Sequence, residues 1–215
     1  IALLKPFTAK NIHLANWYFF STLTLLWSSL FLSYYFIQHT PWALILTIPI
    51  STIFMCRSYV IEHDCGHGSF YRTESANTIA GNFMGFGILI PYSLWKYIHH
   101  SHHMNVGNLD KRSFNPEIWT MTVNEYHQSP AIKQLTYRFM RSKFTRFTLT
   151  PTLNLGLMFR FVHPRFNWKA NVSVVVHDLI YILILWKLHT FISWSELILI
   201  FYTPLVIFYF VASYT

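Results

Sequence analysis

Four long stretches that are almost free of charge dominate this chain and leave it few folds. They run over about 17–37, 42–61, 171–189 and 194–214, and a helix needs about 20 apolar residues to cross a bilayer. Only Arg57 interrupts the second stretch, and only His177, Asp178, Lys187 and the terminal His189 interrupt the third. The first pair is separated by His39, Thr40 and Pro41, with Pro41 suited to a first helical position. The second pair is separated by a link containing His189, Thr190 and Ser193. Two hairpins are therefore expected, both opening toward the same face. A fifth apolar stretch, 76–94, is broken by Gly81, Gly85, Gly87 and Pro91. An interfacial or re-entrant segment is expected there, because an even number of crossings keeps the topology consistent.

Composition excludes the main alternative, a soluble protein with a large apolar core. Only 11% of residues are charged against 53% hydrophobic and 19% aromatic, whereas soluble domains carry about a quarter charged residues. Eleven of the sixteen Lys and Arg residues lie between Lys96 and Lys169. The positive-inside rule then places the segment 95–170, and both chain ends, in the cytoplasm. The net charge of +8 fits orientation and attraction to anionic lipid. It does not fit nucleic-acid binding, since no basic stripe is interleaved with stacking platforms outside the aromatic-rich spans. Cys56 and Cys65 are read as free thiols. The chain opens at Ile1, so targeting is not legible.

Twelve histidines are present, and their spacing carries the chemistry. Glu62-His63-Asp64-Cys65-Gly66-His67 follows the second span, with His63 and His67 one helical turn apart. Trp95-Lys96-Tyr97-Ile98-His99-His100-Ser101-His102-His103 is the second cluster, in which His99 and His103 share a face and His102 lies three residues after His99. His100 is expected to face away, as a supporting donor or exposed. Converging imidazoles make poor structural filler because each desolvated ring needs partners for two nitrogens. They suit iron, zinc or copper. A zinc peptidase would place a glutamate directly after the first histidine, where Asp64 stands.

His63-Asp64-Cys65-Gly66-His67-Gly68-Ser69-Phe70 resembles the first histidine box of membrane fatty acid desaturases, and His99, His102 and His103 resemble the second, of the form HxxHH. Gly107-Asn108-Leu109-Asp110-Lys111-Arg112 and Met121-Thr122-Val123-Asn124-Glu125-Tyr126 are similar to the linker of the Δ12/omega acyl-lipid branch, especially its bacterial members. The resemblance implies an all-α integral membrane protein with four transmembrane helices, a cytosolic helical histidine-rich cap and two non-haem iron ions. It implies His63, His67, His99, His102 and His103 as ligands. It also implies dioxygen as co-substrate, an acyl lipid as substrate and a ferredoxin or cytochrome b5 type electron donor. The membrane is then a bacterial plasma membrane, or the endoplasmic reticulum in a eukaryote. A third HxxHH box is expected beyond Thr215, since His127, His163, His177 and His189 are isolated; the other reading is a protein without that box.

The remaining polar residues carry two readings each. Glu62 and Asp64 are expected either to accept hydrogen bonds from ligating imidazoles or to be solvated carboxylates. His177 and Asp178, inside a span, are read as an extra ligand, an outer support or a polar bundle contact. Trp95 is either a wall of the substrate channel or an interface anchor. An acyl hydroxylase, epoxygenase or ketolase would share this scaffold, because product outcome depends on small changes in substrate placement. A membrane metal-binding or transport protein predicts acidic or thiolate residues lining several spans, which these lack beyond Cys56.

Overall fold

The computed structural model describes residues 10–114 and 120–212, and among them every regular element is helical. Tyr214, the expected end of the fourth span, and the side chain of Arg112 lie outside the described residues. Four helices are long and apolar enough to cross a membrane. They are α1 (Ile12–His39), α2 (Leu44–Gly66), α8 (Trp168–His189) and α9 (Trp194–Ala212). Their outer faces are apolar, with Ile45 and Ile53 at 74% and 61% exposure. Such surface is stable only against lipid, and the molecule is an all-helical membrane protein.

Local chemistry explains each boundary. The Asn11 side chain accepts from the backbone N–H groups of His13 and Leu14 and starts α1. A single 3-10 turn, Pro41–Ala43, carries Pro41 at its first position and turns the chain into α2. Along the seam between α1 and α2 small hydroxyl residues allow close approach. Ser33 Oγ and Thr47 Oγ1 lie 2.8 Å apart, and Ser29 Oγ and Ser51 Oγ 2.9 Å apart. The second hairpin begins at the Asn167 cap of α8 and turns through a Ser193–Glu196 capping box into α9. One π-helical turn, Ile198–Tyr202, widens α9 just before Pro204, whose missing N–H removes a ladder bond. Gln38 donates to Glu196, so the tips of the two hairpins meet at one end of the bundle.

The opposite end holds the histidines. α2 ends at Gly66, and the chain returns as α3 (Glu74–Gly87), capped by Thr73, and α4 (Tyr92–Asn105). The stretch 76–94 is thus two helices joined by a sharp corner. α3 closes with Ile90 N–H donating to Gly85 O at 2.9 Å and Leu89 N–H to Phe86 O at 3.5 Å, the pattern of a Schellman cap. Leu89 takes the left-handed position, φ 60°, that glycine usually fills. The corner lies in the bundle core. Ile88 and Ile90 are fully buried against Leu26, Met55, Leu94, Leu205 and Phe208. Beyond α4 come α5 (Val123–Gln128), α6 (Ala131–Arg141) and α7 (Lys143–Pro151), and α7 packs on α9.

Candidate metal centre

Helical spacing brings the two sequence clusters together. His63 lies on the last turn of α2, and His67 directly follows Gly66, its N–H donating to His63 O at 3.1 Å. α4 crosses this end and presents His99 and His103 one turn apart. One ligand nitrogen from each of His63, His67, His99 and His103 lies within 4.8 Å of all the others. His99 is the hub, its Nε2 3.0 Å from both His67 Nε2 and His103 Nε2. Two residues set this approach. The Trp95 ring, 3% exposed, stacks on His99 with centroids 4.5 Å apart and meets His63 edge-on at 5.8 Å. Gly66 makes room for it, since a Cβ there would stand 2.6 Å from the indole.

The electrostatics favour neutral rings. Burial, then the neighbouring imidazoles, holds His99 down to about 4, and the same causes lower His67. Near neutral pH the ring lone pairs are therefore free for a cation. A metal need not displace protons from these two groups. Four imidazoles aimed at one region are a donor set for a borderline divalent transition metal such as iron, zinc or copper. The site fits such an ion.

The other expected residues divide. His102 stands outside the four-nitrogen group, its ring centroid 6.2 Å from His99 and 5.6 Å from His103. His100, expected to face away, lines a cavity of about 270 Å³ together with Gly66, Lys96, His67, His99 and His103. It does so because His103, three residues on, lies over the same helical turn. Asp64 Oδ1 is 3.6 Å from His63 Nδ1, an ion-pair distance rather than a hydrogen bond. Glu62 is completely buried, and neither of its oxygens has a hydrogen-bond partner among the described residues. It abuts Gly85, where a Cβ would stand 2.7 Å from Oε1. His177 and Asp178 join Arg160 instead of the four-histidine group. Arg160 had no signal in the sequence, where it is one arginine in a basic stretch.

The geometry agrees with comparison to known proteins. The family model for fatty acid desaturases matches residues 39–215, which contain both histidine clusters and three of the four long helices. This chain belongs to the fatty acid desaturase family. A fatty acid desaturase of Bacillus subtilis is 35% identical over 138 residues, 63% of this chain and 39% of that protein. An sn-1 acyl-lipid omega-3 desaturase (ferredoxin) of a Synechocystis species is 28% identical over 151 residues, 66% of this chain and 35% of that one. An sn-1 oleoyl-lipid 12-desaturase of a Picosynechococcus species is 31% identical over 129 residues, 54% of this chain and 35% of that one. The chain thus spans well under half the length of these desaturase relatives.

Proposed function

We propose that this chain acts within a dioxygen-dependent diiron acyl-lipid desaturase that places a cis double bond in a membrane lipid chain, with Δ12 desaturation of an oleoyl chain as the specific reaction. The observation that carries the reading is the convergence of His63, His67, His99 and His103 at one end of four membrane-spanning helices. These four and His102 are the iron ligands we assign to the chain. Non-haem iron with dioxygen supplies the oxidising power that an unactivated methylene demands and that no side-chain base possesses.

The chain's own groups do the rest. Neutral His67 and His99 offer lone pairs without a proton cost near pH 7. Trp95 holds the His99 ring in one plane and fills the space beneath the cluster with carbon, limiting water from the bundle side. An acyl chain has a seat beside α4 in a cavity of about 740 Å³ between α3 and α8, walled by Ile79, Phe83, Phe86, Val172, Val176 and Ile180. Ser93, two residues before Trp95, lines the same cavity. We assign the electron donor to the ferredoxin or cytochrome b5 type, with the histidine end in the cytoplasm of a bacterial plasma membrane. The Lys and Arg residues concentrated between Lys96 and Lys169 support that orientation.

The test is gas chromatography with mass spectrometry of membrane fatty acids from cells expressing the complete natural gene, beside the double variant His63→Ala/His67→Ala. A diene absent from the variant supports desaturation, and its fragmentation locates the bond. Hydroxylated, epoxidised or keto acyl chains would move the assignment to an oxygenase on the same scaffold. An unchanged lipid profile, with iron and donor present, would refute the acyl-lipid reading.

A further inference from the structure

The corner between α3 and α4 is held by a set of contacts that the metal chemistry leaves unexplained. Leu89 sits in left-handed backbone, φ 60°, a conformation that a Cβ disfavours and glycine accepts freely. Three side chains from distant parts of the chain grip the carbonyls around it. Arg160 Nη2 donates to Leu89 O at 2.5 Å, Tyr209 donates to Ile88 O at 2.9 Å, and Tyr181 donates to Phe86 O. The guanidinium is itself fixed. Its Nη1 donates to Asp178 Oδ1 at 2.5 Å and to His177 Nδ1 at 3.0 Å, both on α8.

An ion pair with side chains only 20% and 27% exposed is a weak device for stability alone, since desolvation offsets much of its attraction. Its value lies in direction. A planar guanidinium satisfies three acceptors only in one orientation, and here one of them is the carbonyl of the strained residue. Two residues after Leu89, Pro91 caps α4. The dihedral angles at 88–91 therefore set the line along which α4 carries His99 and His103 toward α2.

We infer that Arg160, locked by Asp178 and His177, is a positioning residue for the histidine cluster: its grip on the Leu89 carbonyl maintains the left-handed corner that aims α4 at the end of α2. The inference rests on the metal-site reading for its purpose, but the geometric effect is measurable without metal. It also has a specific signature. If the clamp serves to hold a conformation that leucine resists, glycine at position 89 should make the clamp dispensable.

The experiment measures the distance between nitroxides at Val60→Cys on α2 and Met104→Cys on α4, both exposed positions, by pulsed electron spin resonance in nanodiscs. The background replaces Cys56 and Cys65 with alanine. A single narrow distribution is expected for the parent, a broadened or shifted one for Arg160→Met, and a narrow one again for Arg160→Met/Leu89→Gly. Cobalt(II) binding, read from its visible absorption, should fall about 10- to 100-fold in Arg160→Met and recover in the double variant. An unchanged distribution in Arg160→Met overturns the inference. So does a double variant that stays broad, or that unfolds with the single one, because a merely structural arginine would not be relieved by glycine. Should the parent bind no cobalt while the distances behave as expected, the metal reading fails and the clamp stands.

Discussion

Replacing Gly85 by alanine tests how tightly the metal end is built. A Cβ there would lie 2.4 Å from the Ile90 carbonyl oxygen and 2.7 Å from Glu62 Oε1, both far inside ordinary contact. One neighbour is backbone in the α3–α4 corner, and the other is a fully buried side chain. Neither yields cheaply, so backbone or carboxylate must retreat by about 1 Å, with overpacking costing about 1–3 kcal/mol. The Ile90 N–H to Gly85 O bond weakens as the corner opens, a further loss of about 1 kcal/mol. Alanine returns about 1 kcal/mol through helix propensity. The net expectation is a loss of about 2 kcal/mol, from offsetting terms of these sizes. Gly87→Ala is the internal control, because its nearest foreign atom is the side-chain tip of the buried Leu26 at 3.0 Å, which need shift only by a few tenths of an ångström. That variant should lose clearly less than Gly85→Ala, since the helix-propensity gain of about 1 kcal/mol offsets the smaller crowding. Denaturant unfolding in detergent micelles, followed by tryptophan fluorescence, compares the two. Equal stability of Gly85→Ala and Gly87→Ala would refute the packing argument.

Four further outcomes are expected. His99→Ala should lower cobalt(II) affinity, measured by calorimetry, more than His102→Ala, because His99 Nε2 faces two other ligand nitrogens; the reverse order would place the ion elsewhere. The metal-free protein should lose stability as pH falls from 6.5 toward 4. His99 is held at about 4 in the fold against 6.5 unfolded, so its contribution is complete above 6.5 and disappears as the unfolded chain takes the proton. His67 moves in the same direction, and a flat unfolding midpoint between pH 7.5 and 4.5 would contradict both. Tyr209→Phe strips the buried Ile88 carbonyl of its donor and should cost about 1–3 kcal/mol in the same unfolding assay. A nitroxide at Leu135, on the exposed apolar face of α6 opposite Lys133 and Arg141, should be reached by oxygen and shielded from a water-soluble nickel complex in nanodiscs; easy access by nickel would show that this face meets water.

How much of this could be read in advance depended on the range of the interaction. The crossing helices were legible because a long apolar run has only one stable use in lipid. The pairing of His63 with His67, and of His99 with His103, followed from one turn of helix. What the sequence concealed lies between elements. His100 is exposed and outside the four-nitrogen group, as α4 alone suggested, but only the approach of the end of α2 shows that it lines a cavity beside that group. Glu62 reads from the sequence either as an acceptor for a ligating imidazole or as a solvated carboxylate, and only the approach of α3 at Gly85 shows that it is sealed. Leu89 in a left-handed cap contradicts local preference outright. No residue near it announces the conformation, because the groups that enforce it stand at positions 160, 178 and 209.

The hydroxyl seam between α1 and α2 bears on how such a protein is made. Ser33 and Ser51 each donate to the carbonyl four residues back on their own helix while touching a hydroxyl across the seam. The seam serines Ser29, Ser33 and Ser51 can therefore enter the bilayer already bonded to their own helices and meet hydroxyls across the seam only when the other helix arrives. The first hairpin can dock as soon as both strokes are in the membrane, during synthesis, before the ribosome has reached His99. Arg160, Tyr181 and Tyr209 follow in that order along the chain, so the corner that aims α4 is fastened step by step from the amino terminus. On this timetable the four-histidine end is assembled only after the first hairpin has docked and α4 has followed it, so a metal held there would be taken up late.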